Sequence, residues 1–136
     1  MKQFWINLPV KDIDKSKAFF AELGFRFNAT HGNTPTSACM LLGDKDVVVM
    51  LFDEPTFKGY ISNGAVAVNS TEVLLSIDAE SKEEVDEMIA KAVAAGGTSN
   101  HKPSPMKGWM YGSVFTDPDG HRWNILHMDM NKMSNA

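Results

Sequence analysis

Apolar and polar positions alternate with a period near two along residues 2–10, a stretch rich in Phe, Trp, Ile and Val, which predicts a strand ending at Pro9-Val10. Asp12 is placed to cap a helix beginning at Ile13. Ile13, Phe19, Phe20 and Leu23 give that helix one apolar face, and Gly24 supplies its stop. Strands are predicted over 25–30, 37–42 and 47–52, separated by a turn-rich loop, His31 to Pro35, and a tight turn, Gly43 to Asp46. Residues 53–69 break the pattern with Pro55, Gly59, Asn63 and Gly64 and read as a linker with room for a short helical turn. The order then restarts. A strand is predicted over 71–77, followed by a helix opened by the capping box Ser81-x-x-Glu84. Val85, Met88, Ile89, Ala92 and Val93 form its apolar stripe, and Gly96-Gly97 closes it. A short strand over 98–101, a loop with Pro103 and Pro105, a strand over 109–116, the turn Asp117-Pro118-Asp119-Gly120 and a last strand over 122–128 complete the chain. The tail from Asn131 is expected to fray.

The pattern therefore spells β-α-β-β-β twice, an internal repeat of structure with little residue identity. Module one is expected over 1–54, a linker over 55–69 and module two over 70–130. Each module is too small to stand alone. The expectation is a single α+β domain over 1–136, with eight strands in two curved sheets around a cleft.

With 136 residues, 43% of them apolar and 22% charged, the composition is that of an ordinary globular domain. A net charge of −4 argues against a nucleic-acid partner, which would need a basic face, and against a polybasic membrane surface. The opening residues do not read as a secretory leader, because Asn7 and Pro9 interrupt a short apolar stretch. The longest apolar run, 47–52, is far below a membrane span. One cysteine, Cys39, excludes an intrachain disulfide. It reads as a buried strand residue rather than a catalytic thiol. A cytoplasmic location is expected.

Three stretches carry a resemblance. Asn7-Leu8-Pro9-Val10-Lys11-Asp12 with Ser16 to Phe25, the strand and helix from Glu72 to Gly97, and above all Phe115-Thr116-Asp117-Pro118-Asp119-Gly120-His121-Arg122-Trp123 resemble the vicinal oxygen chelate superfamily. That superfamily groups glyoxalase I, the bleomycin and fosfomycin resistance proteins and the extradiol dioxygenases. The resemblance covers roughly residues 2–130 and implies the paired-module fold. It also implies four metal-ligand positions, one per strand on four strands, which fall on Trp5, Met50, Glu72 and Asn124. A shift of one residue at Met50 would give Val49 or Leu51, neither of them a ligand. Indole is donor-only. Thioether suits Cu(I) rather than Mg²⁺, Mn²⁺, Fe²⁺ or Zn²⁺. A neutral amide oxygen is weak outside a multi-oxygen cage. The family's divalent metal is therefore expected to be absent, and the four histidines are read as surface or structural groups.

Strand parity groups Trp5 with Asn7, Met50 with Phe52, and Arg122 with Asn124. With Glu72 and Tyr111 these form the expected ligand-binding set, an apolar wall with sparse polar groups. The same residues could equally be core between two sheets. Glu72, as a lone carboxylate among apolar neighbours, is the candidate general base; an ion pair with Arg122 is the competing role. Two function classes follow. One is a binding protein for a small aromatic or amphipathic molecule, as in the bleomycin-resistance branch. The other is a metal- or Glu72-dependent lyase or dioxygenase-type enzyme. A partner-binding scaffold has no positive sign in the sequence. Family habit and the apolar groups Trp109, Met110, Trp123, Met128 and Met130 together favour a homodimer.

Overall fold

The computed structural model describes residues 1–61 and 73–133. The chain divides into two compact units, 1–68 and 69–136. In the first, β1 (Trp5–Val10), α1 (Ile13–Glu22), β2 (Arg26–Phe27), β3 (Ser37–Leu42), β4 (Val47–Asp53) and α2 (Glu54–Tyr60) follow one another. The sheet order is β1-β4-β3-β2, with β1 parallel to β4 and the other pairs antiparallel. In the second, β5 (Leu74–Asp78), α3 (Lys82–Ala94), β6 (Ser104–Met106), β7 (Met110–Thr116), β8 (Arg122–Met128) and α4 (Met130–Met133) build a sheet of order β5-β8-β7-β6, parallel at β5–β8. The repeat seen in the pattern is thus a repeat of topology, and the fold is α+β with two mixed four-stranded sheets.

Each sheet buries one face against its own unit's apolar core. In the first unit, Leu8, Val10, Ala38, Met40, Val49 and Leu51 lie buried, as do Ile13, Phe19 and Phe20 of α1. Asp12 caps α1 by accepting from Lys15 N–H at 3.0 Å, and Gly24 takes the left-handed conformation that ends it. In the second unit, Val85, Ile89 and Ala92 of α3 are buried, as are Phe115, Trp123 and Ile125 of the sheet. Val93 is 50% exposed, so the apolar stripe of α3 is narrower than the spacing implied.

Several expectations need correction. The strand expected over 25–30 shrinks to two residues. The Asn28 side chain accepts from Thr30 N–H, Thr30 Oγ and His31 N–H, folding the backbone out of the ladder. Phe25 N–H bonds Phe20 C=O and so belongs to the helix end. The linker is helical over its first part: Asp53 accepts from Thr56 N–H and Pro55 sits in the first turn of α2. Its remainder, 62–69, lies outside the described residues, as do Thr71 and Glu72. In the capping box Ser81 Oγ accepts from Glu84 N–H, but the Glu84 carboxylate accepts from Glu80 N–H instead of Ser81. The strand expected over 98–101 is one bridge, Thr98 with Thr116. The sixth strand lies instead at 104–106, within the expected loop. Pro105 is tolerated there because β6 is the sheet edge. The tail does not fray at Asn131, where a turn of helix forms, with Asp129 accepting from Asn131 N–H.

Candidate functional site

Cα pairing fixes which side chains share a face. On β1 and β4 the partners are Trp5 with Val48, Asn7 with Met50, and Pro9 with Phe52. Cys39 pairs with Met50 and Ser37 with Phe52. Directly paired residues point the same way, and Leu8, Val49 and Leu51 occupy the buried side, so this set lines the opposite face. Four candidates, Trp5, Asn7, Met50 and Phe52, are thereby brought together on one surface of the first unit.

That surface is closed at one end and open at the other. The loop between β2 and β3 is folded back over β3. Ser37 Oγ donates to Gly32 C=O at 2.8 Å and lies 2.7 Å from Thr34 Oγ, and Lys17 Nζ donates to Asn33 Oδ1. Gly32, at φ +70°, lies against Cys39 and the end of Met50; a Cβ there would sit 2.9 Å from Cys39 Cβ and 3.0 Å from Met50 Cε. Ser37 and Cys39 are buried as a result, and burial raises the Cys39 thiol pKa. Towards β1 the face opens: Trp5 is 52% exposed and Asn7 is exposed. Tyr60 of α2 packs edge-on to Phe52, ring centroids 5.1 Å apart. Met50 thus forms a thioether floor with an aromatic pair on one side and an exposed indole on the other. Sequence reasoning missed Gly32 and Tyr60. Gly32 was visible only as a turn residue, and Tyr60 lay in a segment read as linker.

In the second unit, Leu74 pairs with Arg122, Ser76 with Asn124, and Val114 with Asn124 across the other side. Arg122 and Asn124 therefore share the face turned away from the buried Trp123 and Ile125. Asn124 Nδ2 donates to Ser76 Oγ at 3.4 Å. Tyr111 does not join them. It pairs with His127, and its hydroxyl donates to Asp86 Oδ1 of α3 at 2.6 Å, which places it on the helix side. Donating that hydrogen bond to Asp86, more than the carboxylate's charge, holds the phenol above its usual range. Trp109, one of the apolar groups of the C-terminal half, precedes β7; its buried Nε1 has no hydrogen-bond partner among the described residues. His127 Nδ1 lies 3.1 Å from Ala79 C=O, a structural role, while His31 and His101 are exposed. Among the described residues no three His, Cys, Asp or Glu side chains gather as a metal site.

The turn between β7 and β8 holds Arg122 and Asn124 in register. Asp117, 4% exposed, accepts from Asp119 N–H and His121 N–H on Oδ1 and from Trp123 Nε1 on Oδ2. Trp123 stacks parallel to Phe115 with centroids 6.3 Å apart. The carboxylate thus ties the turn to the aromatic residue that stands between Arg122 and Asn124.

Comparison with known proteins supports one family. Residues 2–125 match the family model described as the Glyoxalase/Bleomycin resistance protein/Dioxygenase superfamily. A hypothetical protein from S. aureus is 31% identical, with a TM-score of 0.83 over 93% of this chain and 94% of its own. A glyoxalase/bleomycin resistance protein/dioxygenase family enzyme from Burkholderia phytofirmans shares the fold at 21% identity, with a TM-score of 0.80 and coverage of 91% and 96%. So does a lactoylglutathione lyase from Agrobacterium tumefaciens at 19% identity, with a TM-score of 0.67 and coverage of 93% and 94%. No curated protein matches the chain.

Proposed function

The chain belongs to the Glyoxalase/Bleomycin resistance protein/Dioxygenase superfamily, and from that premise we propose that it binds a small aromatic or amphipathic molecule without the family's divalent metal. The observation that carries this reading is the face of the first unit. An indole, 52% exposed, stands beside a Met50 floor and the Phe52–Tyr60 pair. Rigid aromatic surface with a single neighbouring amide, Asn7, suits a planar apolar ligand with one polar group.

The donor set argues against the metal. Trp5 offers an indole, Met50 a thioether packed against Gly32, and Asn124 a neutral amide oxygen, weak outside a multi-oxygen cage. Hard divalent ions need carboxylate, imidazole or thiolate ligands, usually three or more. Glu72, the remaining position, lies outside the described residues. A metal-dependent lyase or dioxygenase would need donors that three of the four positions do not supply.

The test is a thermal-shift screen with aromatic antibiotics, catechols and thiol conjugates, each with and without Mn²⁺ or Zn²⁺. At least one aromatic class should stabilise the protein without metal, by about 2.7 kcal/mol at a hundredfold excess over Kd. Trp5→Ala should weaken that ligand about tenfold, from lost aromatic contact. The variant's own stability should change little, since Trp5 is largely exposed. Binding that requires the divalent ion, or that ignores Trp5→Ala, would overturn the proposal.

The assembly proposed with this function is a homodimer. β1 and β5 are edge strands of their sheets and carry exposed apolar groups at or beside them: Phe4 at 70%, Val73 at 55% and Leu74 at 50%. Unpaired edges with apolar side chains favour association. Light scattering at micromolar concentration should give twice the 15.0 kDa chain mass; a monomer mass would rule the dimer out.

A further inference from the structure

The second unit carries a feature that neither the family fold nor the proposed ligand face requires. Met106 pairs with Met110, and Met110 pairs with Met128. Three methionines therefore stand side by side in one row across β6, β7 and β8. Tyr111, next to Met110, reaches Asp86 on the helix side, so the row lies on the other face. Directly paired residues have Cβ atoms about 4.5–5.5 Å apart. The flexible, unbranched stems of the outer two can lean towards Met110. The row is reachable from solvent. Met106 and Met110 are half-buried, Met128 is 38% exposed, and Met130, two residues on, is 59% exposed.

We propose that this row binds a soft monovalent metal ion of the Cu(I) class through three thioether sulfurs. Thioethers are neutral, polarisable donors that select Cu(I) over Zn²⁺ or Mg²⁺. Asp129, next to Met128 in sequence, is engaged elsewhere. It accepts from Asn131 N–H and lies 4.0 Å from Lys132 Nζ. A hard divalent ion would thus find no anionic ligand in the row, whereas a soft ion with low coordination demand needs none. The site is remote in sequence from Trp5 and Met50 and stands or falls independently of the ligand reading.

The test uses Ag(I), a soft closed-shell ion that is stable in air, on full-length protein with ¹³C-methyl-labelled methionine. A Cys39→Ala background removes the one thiol, a competing soft ligand. The methyl resonances of Met106, Met110 and Met128 should shift together and saturate at one equivalent, while Zn²⁺ leaves them unmoved. Met110→Leu keeps volume and apolar character, so the protein should stay folded. Affinity should fall by at least about 10- to 100-fold, the loss seen even when only a ligand's supporting group is removed. Met40→Leu, a buried methionine of the first unit, should leave Ag(I) binding unchanged. Shifts spread evenly over all nine methionines, binding that persists in Met110→Leu, or no binding at all would each overturn the site.

Discussion

Gly112→Ala should destabilise the protein by about 2–3 kcal/mol, in the upper range for forcing one extra carbon into a packed site. Gly112 is buried in β7 and pairs with Leu126 of β8. A Cβ built on it would lie 2.5 Å from the Ile125 backbone oxygen and 2.6 Å from Leu126 Cδ2. The leucine could turn aside, but the carbonyl is part of the sheet backbone and cannot move without disturbing the ladder beside Asn124. A loss of this size should lower the melting temperature by about 10 °C for a chain of this length. Gly59→Ala provides the opposite sign. Gly59 lies in α2 with nothing within 4 Å of a built Cβ, so alanine should gain about 0.5 kcal/mol from its better helix propensity. Urea denaturation of both variants checks the pair. Equal stabilities would show that the sheet yields at Gly112 and that the close approach is not what selects glycine.

The elements legible in the sequence were those written in local chemistry. Asp12 and Gly24 bound α1, Ser81 opens α3, and the runs at 37–42 and 122–128 became strands with the expected bounds. The misreadings arose where non-local pairing decided the outcome. Nothing between Phe25 and Thr30 distinguishes a long strand from a short one; the Asn28 side chain, competing for backbone N–H groups, ends it. The sixth strand hid behind two prolines, which argue against a central strand but not against an edge. Residues 98–101 looked more strand-like, yet Ser99 Oγ takes the Val114 and His101 carbonyls in place of a ladder.

Half of the candidate site was legible for the same reason. Parity within a strand grouped Trp5 with Asn7 and Met50 with Phe52, and the parallel register of β1 on β4 joined the two pairs. Tyr111 was misplaced although a signal existed. The turn 117–121 is centred on Asp119, which pairs Thr116 with Arg122 and so sets Val114, not Tyr111, beside Asn124. The closing of the face by Gly32 was not legible, because it depends on a loop folding back onto β3 to touch Cys39 and the end of Met50. Loop paths of that kind are set by tertiary contacts rather than by any local pattern.

Asp117→Ala should cost about 2–4 kcal/mol, because three donors lose their acceptor at once. Two are backbone N–H groups of the turn. The third is the indole of Trp123, which is 1% exposed and cannot turn to water. Asp117→Asn should fall between: its amide oxygen can serve the two backbone donors, but its NH₂ group would then face the indole N–H, donor against donor. The two substitutions also differ from wild type in their pH response. Burial pushes the Asp117 carboxyl above the ordinary aspartate range, against the opposing pull of His121, the indole and the turn N–H groups. An acid with a raised pKa holds its proton more tightly in the folded than in the unfolded chain. Its contribution is therefore complete below the unfolded value, about 3.9, and is lost as pH rises through the folded one. The wild-type advantage over Asp117→Asn should accordingly shrink as pH climbs from about 4 towards neutrality. Parallel denaturation curves at several pH values measure this directly. A constant difference would mean that the turn donors and His121 fully offset the burial. An advantage that grows with pH would mean that they outweigh it, leaving the carboxylate held as an anion at the root of the hairpin.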